Sequence, residues 1–137
     1  MAGYSGTPLP KKLGIKGGLK IALPGIPPDV RKELDDALRG CQIVDGGGKD
    51  LDFVHLFVKT QSELKKTFLS WAKKLQPAGI LWVSWPKKSS GVASDLDENR
   101  VREIGLAAGL VDVKVCAVNE VWSGLKFVIR VKDRNRS

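Results

Sequence analysis

Hydrophobic and polar residues follow two different patterns along this chain. Short apolar runs predict β-strands at residues 19–23, 41–44, 53–58 and 79–85. Apolar residues spaced three or four positions apart predict α-helices over residues 27–38, 61–75 and 96–108. This succession of strands and helices is typical of a domain with helices on both faces of a mostly parallel sheet.

Polar residues at the predicted helix ends support these boundaries. Thr60 with Glu63, and Asp95 with Glu98, have the spacing of a capping box. In such a box, a side-chain oxygen accepts a hydrogen bond from a backbone N–H group that has no partner inside the helix. The spacing therefore predicts that two helices begin immediately after Thr60 and after Asp95.

The last third of the chain changes character. Residues 111–118 and 125–131 both alternate between apolar and polar side chains, and the turn-forming segment "NEVWSG" separates them. This pattern indicates two antiparallel strands joined by a turn. We therefore predict a three-layer α/β fold whose mostly parallel sheet of five or six strands ends in an antiparallel hairpin.

The short segment from Asp45 to Leu51 leaves the position of one strand open. Seven extended residues span about 23 Å. The path back along one strand and across one neighbour is about 18 Å. The run at 41–44 could therefore be a parallel strand beyond the first strand, an antiparallel edge strand, or no strand.

We predict a single domain over residues 19–132, a segment at residues 1–18 that wraps the sheet, and a basic tail at residues 133–137. The first segment is rich in glycine and proline but also carries large apolar or aromatic residues: Tyr4, Leu9, Leu13 and Ile15. A disordered tail would not need such side chains, so we expect this segment to pack on the domain.

The net charge of +8 is concentrated at the two ends of the chain. Residues 1–20 contribute +4 and residues 126–137 contribute another +4, which leaves the body of the chain neutral. Basic ends of this kind either bind phosphate, nucleic acid or an acidic partner, or remain solvated tails that aid solubility.

The composition is that of a globular protein, with 42% hydrophobic and 28% charged residues. Cys41 and Cys116 lie far apart without a metal-ligand spacing, so we expect reduced, buried thiols and no metal. No apolar run approaches the roughly 18 to 20 residues that cross a bilayer. Residues 1–18 lack the apolar core of a signal peptide. We expect a cytoplasmic protein without membrane contact.

The carboxyl ends of the predicted parallel strands would bring basic residues to one edge, where ligands bind in open α/β sheets. The candidate anion-binding residues there are Lys59, Trp85, Lys87, Lys88, Ser89, Ser90 and Gly91. The N-terminal segment would add Tyr4, Ser5, Thr7, Lys11 and Lys12. Lysines hold anions as point charges, hydroxyl groups donate hydrogen bonds, and an indole can stack on a base. Alternatively, these polar residues only solubilise a strand end, and Trp85 packs on a helix.

Two further residues, His55 and Trp122, could have either a functional or a structural role. His55 is the only histidine and lies within a buried strand pattern, so we expect a hydrogen-bonded core residue rather than a catalyst. Trp122 stands at the predicted hairpin tip with Ser123, Gly124 and Lys126. It either contacts a partner or covers the end of the sheet.

Three segments, "GYSGTPLPKKLGIK", "WPKKSSGVASDL" and "GLVDVKVCAVNEVWSGLKF", resemble a bacterial family of small proteins known as domain of unknown function 3052. The resemblance covers nearly the whole chain and implies no particular activity. More distantly, the order of elements is similar to a shortened core of Rossmann-like S-adenosylmethionine-dependent methyltransferases. That similarity implies a Rossmann-like, methyltransferase-like topology whose last strand is inserted antiparallel beside its neighbour.

The chain departs from the methyltransferase pattern at the turn after the first strand. Those enzymes have a glycine-rich turn there, whereas "LPGIPPDV" has only Gly25, followed by two prolines that remove backbone donors. Asp45 could bond a ribose. In those enzymes, however, a helix, a strand and a further helix wall the cofactor pocket, and the short link at residues 45–51 of this chain has no room for them. We therefore predict no cofactor and non-catalytic binding of an anionic small molecule, a nucleotide or an acidic partner at the strand-end edge. The alternatives are a minimal S-adenosylmethionine-binding enzyme and nucleic-acid binding through the basic ends.

Overall fold

The described part of the chain is built on a six-stranded sheet. A computed structural model describes residues 7–46 and 48–134. The strands are β1 (Lys20–Ala22), β2 (Gln42–Ile43), β3 (Leu51–Phe57), β4 (Leu75–Pro86), β5 (Leu110–Ala117) and β6 (Trp122–Ile129). They lie in the order β2-β1-β3-β4-β6-β5. The first four pair in parallel, and β6 runs antiparallel to both β4 and β5. The predicted mostly parallel sheet with a C-terminal antiparallel hairpin is confirmed.

Helices cover both faces of this sheet. They are α1 (Leu9–Leu13), α2 (Pro28–Leu38), α3 (Gln61–Ala72) and α4 (Glu98–Ala107). Leu34 of α2 packs with Phe53 and Trp82 in one buried cluster, which also includes the apolar residues of α1. Phe68 of α3 packs with Phe127 in the other cluster, which includes the buried residues of α4. The result is a three-layer α/β fold, as the alternating pattern predicted.

The position of β2, which the sequence left open, is settled. It pairs in parallel with β1, and Ile21 is aligned with Ile43. The next strand along the chain, β3, lies on the other side of β1. The strand order reverses between β1 and β3, which is the place where a crevice forms in folds of this type.

The caps of α3 and α4 differ in how well they were predicted. Thr60 accepts a hydrogen bond from the Glu63 backbone N–H at 3.1 Å, so the predicted start of α3 is confirmed. The predicted cap at Asp95 is wrong, because Asp97 is the N-cap of α4 and accepts from the Arg100 N–H at 2.8 Å. Asp95 instead accepts the Gln61 N–H at 2.8 Å and ties the start of α3 to the loop before α4.

The boundary between α3 and β4 was also predicted wrongly. Leu75 does not extend the helix but begins β4, where it pairs with Leu51. The register then shifts, because Phe53 is aligned with Ile80 and residues 76–79 protrude as a bulge. Gly79 is required there, since a Cβ atom at this position would lie 2.8 Å from the Leu51 carbonyl oxygen.

The N-terminal part of the chain lies on the α2 side of the sheet. Leu9, Leu13 and Ile15 are buried, and the Trp82 indole N–H donates to the Leu13 carbonyl at 2.9 Å. The predicted ligand residues Tyr4 and Ser5 and the last three residues of the predicted tail lie outside the described residues. Within the described ranges, no helix has the length and apolar character needed to cross a membrane.

Candidate functional site

The carboxyl ends of the parallel strands form one edge of the sheet. Lys59 follows β3 closely and Lys87 follows β4, so chain topology brings both residues to this edge as predicted. Lys59, Lys88 and Ser89 are exposed, and Lys87 is half-buried. The Lys87 backbone N–H donates to the Val121 carbonyl at 2.7 Å, which directs the chain after β4 toward the β5–β6 hairpin.

Ser90 and Gly91, two predicted ligand residues, close a turn. The Ser90 hydroxyl donates to the Lys87 carbonyl at 2.6 Å and accepts the Val92 N–H at 3.2 Å. Gly91 has a φ of +78°, the left-handed conformation that favours glycine, and it ends a short 3₁₀ turn at Lys88–Ser90. The Ser90 proton is therefore already used, and its hydroxyl does not donate to a ligand in this conformation.

Trp85 does not offer its indole as a stacking surface. Its side chain is only 5% exposed and belongs to the cluster that includes the buried residues of α3 and α4. The physical reason is strand alternation, because Val83 and Trp85 point to the same buried face. The alternative raised from the sequence, a tryptophan packed on the helices, is the correct one.

Lys11 and Lys12, adjacent in the chain, are directed to different ends of the sheet. The Lys12 ammonium donates to the carbonyl of Ala117, the last residue of β5, at 3.2 Å. Lys11 lines a pocket at the other edge, together with Leu19, Asp52 and Gln76 near the starts of strands. Only Lys12 therefore lies near the carboxyl ends of the strands.

Four lysines converge beside the hairpin, and we call Lys12, Lys87, Lys114 and Lys126 the lysine patch. Lys114 of β5 lies directly opposite Lys126 of β6 in the antiparallel ladder. The Lys114 ammonium also donates to the Lys12 carbonyl at 3.3 Å. In the described part of the chain, every ion pair uses an arginine, and none of these lysines lies within 4.0 Å of a carboxylate.

The positive charges of the lysine patch shift the pKa values of Lys126 and Cys116. Burial lowers the pKa of Lys126, and the nearby positive charge of Lys114 lowers it further. Burial raises the pKa of the Cys116 thiol, while the positive charges of Lys12, Lys114 and Lys87 partly oppose that rise. A concentration of positive charge without carboxylate partners creates a field that attracts anions.

The sequence did not single out Lys114, although a signal was present. Lys114 is a polar residue within the alternating run "VDVKVCAV", as is Lys126 within "LKFVIRV". Their direct opposition depends on the hairpin register and on a bulge between Asp112 and Lys114. Neither feature can be read from alternation alone, because a shift of one residue would place the two side chains on opposite faces.

His55 and Ser84 meet in the core. His55 Nε2 lies 2.7 Å from the Ser84 hydroxyl oxygen, and both residues are fully buried. Burial lowers the pKa of His55 to about 3, so the ring is neutral at ordinary pH. Its Nδ1 atom has no hydrogen-bond partner in the described structure, whereas a catalytic triad needs a carboxylate there. The prediction of a hydrogen-bonded core histidine is confirmed.

The crevice between β1 and β3 is closed by the turn that follows β1. The Phe57 N–H donates to the Pro24 carbonyl at 3.0 Å. Gly25 has a φ of +76°, and a Cβ atom there would lie 2.7 Å from the Phe57 carbonyl oxygen. Trp122 is buried, with its ring centroid 5.2 Å from that of Phe57. It covers the end of the sheet, one of the two roles considered for it from the sequence.

Little space remains near the expected ribose position. Asp45 lines a small cavity of about 160 Å³ together with Leu23, Pro24 and Val44. Sites for drug-sized molecules and cofactors usually have about 300 to 1,000 Å³. The cavity that the described residues form beside Asp45 is therefore smaller in this conformation than a cofactor site usually is. Among the described residues, no group of three or more histidine, cysteine or acidic side chains is arranged to hold a metal.

Comparison with solved structures shows the fold to be that of methyltransferases. A S-adenosylmethionine-dependent methyltransferase from Aquifex aeolicus aligns with a TM-score of 0.59 and 15% identity, over 88% of this chain and 87% of that chain. Magnesium protoporphyrin IX methyltransferase from Synechocystis aligns with a TM-score of 0.56 and 15% identity, over 89% and 74%. Fibrillarin from Aeropyrum pernix aligns with a TM-score of 0.55 and 14% identity, over 92% and 70%.

Sequence comparison adds a family. A search of curated proteins finds no significant match. Residues 11–131 match a family model described as protein of unknown function, DUF3052. That match covers most of the chain and includes all six strands. The chain therefore belongs to the DUF3052 family of proteins of unknown function.

Proposed function

We propose that this protein binds an anionic small molecule, carrying more than one negative charge, at the lysine patch. The observation that carries the proposal is the direct cross-strand opposition of Lys114 and Lys126, with no carboxylate within 4.0 Å of either among the described residues. Phosphate-bearing molecules have the required charge, and lysine ammonium groups bind them as point charges.

The arrangement has a cost in the free protein that a bound anion would remove. Like charges directly opposite each other on neighbouring strands are destabilising. Lys126 is also half-buried, and burial favours its neutral form. A polyanion bound between the Lys114 and Lys126 side chains would relieve the repulsion and stabilise both charged ammonium groups.

Exposed residues at the carboxyl edge would extend the site. Lys87 connects the lysine patch to Lys88 and Ser89, and Lys59 lies at the end of the neighbouring strand β3. These residues would steer an anion toward the patch and contact the outer part of a larger ligand. The buried tryptophans at this edge leave no exposed indole for a base, so the proposed binding is to the phosphate part of the ligand.

The proposed role is binding without catalysis. The one contact between a hydroxyl and a possible base within the described chain, Ser84 with His55, is sealed in the core. We also propose a reducing compartment such as the cytoplasm. Cys41 and Cys116 are both free thiols, which a reducing environment would maintain.

A second candidate is binding of S-adenosylmethionine. The methyltransferase fold and the position of Asp45 beside the end of β2 favour it. The closed turn at Gly25 opposes it, because the turn would have to move away from Phe57 before a cofactor could enter. This candidate therefore predicts a conformational change that the lysine-patch proposal does not need.

Thermal unfolding of the full chain with tripolyphosphate tests the proposal. We expect a saturable rise in melting temperature, and a Lys114→Glu variant should bind about tenfold more weakly, as expected for loss of one charged contact in a shared site. Lys66→Glu is the matched control, because Lys66 is exposed on α3 at the opposite face. Equal loss of affinity in both variants would indicate only a nonspecific response to net charge and would contradict the proposal.

Two further ligands separate the alternatives. S-adenosylhomocysteine should leave the melting temperature unchanged, and a saturable rise would favour the second candidate. A mixed-sequence oligonucleotide tests nucleic-acid binding through the basic ends. If binding to it were lost on removal of residues 132–137 but unaffected by Lys114→Glu, the termini rather than the lysine patch would be the anion-binding surface.

A further inference from the structure

The opposite edge of the sheet contains a pocket that the proposed function does not use. It has a volume of about 770 Å³ and lies between α1 and the starts of β1, β3 and β4. This volume is within the usual range for small-molecule sites. Its location is unusual, since ligands in open α/β sheets generally bind at the carboxyl ends of the strands.

One wall of this pocket is the segment around α1, which is held in place at several points. Leu9 and Leu13 are buried, and the Trp82 indole N–H donates to the Leu13 carbonyl at 2.9 Å. The Lys16 carbonyl accepts the Cys41 thiol at 3.2 Å. These contacts fix the backbone of Lys11 and Lys16, while both side chains remain exposed on the lining of the pocket.

The other wall is a hydrogen-bonded polar chain built on the β4 bulge. Asp52 accepts the Lys20 backbone N–H at 2.9 Å and the Gln76 side-chain amide at 3.1 Å. The Gln76 side-chain carbonyl in turn accepts the Ala78 N–H at 2.8 Å. Both ends of the Gln76 amide are therefore satisfied, and the wall keeps its shape without a ligand.

The remaining binding capacity of the pocket is apolar and cationic. Ile15, Leu19 and Ile80 supply apolar surface between the two walls. Within the ranges that the structure describes, neither Lys11 nor Lys16 lies within 4.0 Å of a carboxylate. The Asp52 carboxylate, in contrast, already accepts two hydrogen bonds from its own wall.

We propose that this pocket binds a small carboxylate with an apolar body. The carboxylate would face Lys11 and Lys16 on the α1 wall, and the apolar body would cover Leu19 and Ile80. This site is separate from the lysine patch, because the pocket lies at the starts of β1, β3 and β4, whereas Lys114 and Lys126 lie beside Trp82 in the middle of the antiparallel strands. Its ligand also differs in kind, since the lysine patch has a high charge density whereas the pocket combines a cationic rim with apolar lining.

Amide chemical shifts of the isotope-labelled full chain test this proposal. The probes are 3-phenylpropionate, phenethylamine with a similar body but opposite charge, and acetate with the same charge but no body. We expect 3-phenylpropionate alone to give saturable shifts at residues 11–19 and 76–80. Equal shifts with phenethylamine or with acetate, or no saturable shift with 3-phenylpropionate, would overturn the proposal.

Two double variants locate the site. Lys11→Glu with Lys16→Glu should weaken 3-phenylpropionate binding at least about tenfold, since both charged contacts are reversed. Lys87→Glu with Lys114→Glu should leave that binding unchanged while weakening tripolyphosphate binding. If the second pair weakened 3-phenylpropionate binding as much as the first, a general charge effect would explain the result and the pocket proposal would fail.

Discussion

Gly25 lies against the carbonyl group of Phe57 so closely that a Cβ atom would stand 2.7 Å from its oxygen. The adjacent hydrogen bond from the Phe57 N–H to the Pro24 carbonyl holds the same turn on β3. This contact closes the crevice at the reversal of strand order, where folds of this kind place their ligands. The chain thus combines a methyltransferase fold with a closed switch point.

The Gly25 contact predicts a large loss of stability in a Gly25→Ala variant. The φ of +76° disfavours any residue with a Cβ atom, and the new methyl group would press on backbone rather than on a flexible side chain. We expect the free energy of unfolding to fall by about 2 to 4 kcal/mol in chemical denaturation. Gly17→Ala is the control, because no heavy atom lies within 4 Å of its Cβ position. A Gly25→Ala variant as stable as the control would show that the turn is not closed in solution.

Removing one charge from the lysine patch should stabilise the free protein. Lys114→Gln keeps most of the side chain but ends its repulsion with Lys126, so we expect a gain of about 0.5 kcal/mol in the free energy of unfolding. The gain should shrink in concentrated salt because screening weakens the repulsion. Lys66→Gln on α3 should show neither the gain nor its salt dependence. A gain that is the same at low and high salt would mean that a difference in strand propensity between glutamine and lysine, and not the loss of repulsion, explains the result.

His55 predicts that stability falls in acid. The unfolded chain takes up a proton near the ordinary histidine pKa of 6.5, whereas the buried ring does so only near pH 3. Between these values the unfolded state binds more protons, so stability rises with pH and is lost as the pH falls, by up to about 1.4 kcal/mol per pH unit.

The matched comparison for His55 is a His55→Phe, Ser84→Ala double variant, which removes the titrating ring together with its hydroxyl partner. Denaturation curves of both proteins from pH 7 to pH 3 would isolate this contribution from that of the carboxylates. We expect the free energy of unfolding of the unmodified protein, relative to that of the double variant, to decrease as the pH falls from 7 to 3. A constant difference would mean that the ring is not sealed from water.

Asp95 and Asp97 should affect different helices despite their closeness in sequence. Asp95→Ala removes the acceptor of the Gln61 N–H, and Asp97→Ala removes the acceptor of the Arg100 N–H. Each variant should lose about 1 kcal/mol of stability. Amide hydrogen exchange should become faster at the start of α3 in the first and at the start of α4 in the second. Faster exchange at α4 in both variants would restore the capping role that the sequence suggested for Asp95.

The candidate site could be predicted only partly from the sequence, because some of its residues are positioned by the local chain pattern and others by strand register and packing. Lys59, Lys87 and Lys88 could be placed at one edge because each follows an apolar run, and parallel strands end together. Lys114 could not be placed, since its position opposite Lys126 depends on a bulge that alternation does not reveal. Trp85 was ambiguous for a similar reason: whether it faces solvent or core depends on which helices cover that face of the sheet.

The sequence by itself determined the succession of elements, because apolar periodicity and caps such as Thr60 act within a few residues of chain. It also determined that the turn after the first strand has a single glycine, Gly25, in place of the glycine-rich sequence of methyltransferases. Only the tertiary structure decided that this turn closes on Phe57, that Lys11 and Lys12 serve opposite edges, and that four lysines converge beside the hairpin. Those relationships join residues far apart in the chain, and they depend on strand order and register, which local patterns do not fix.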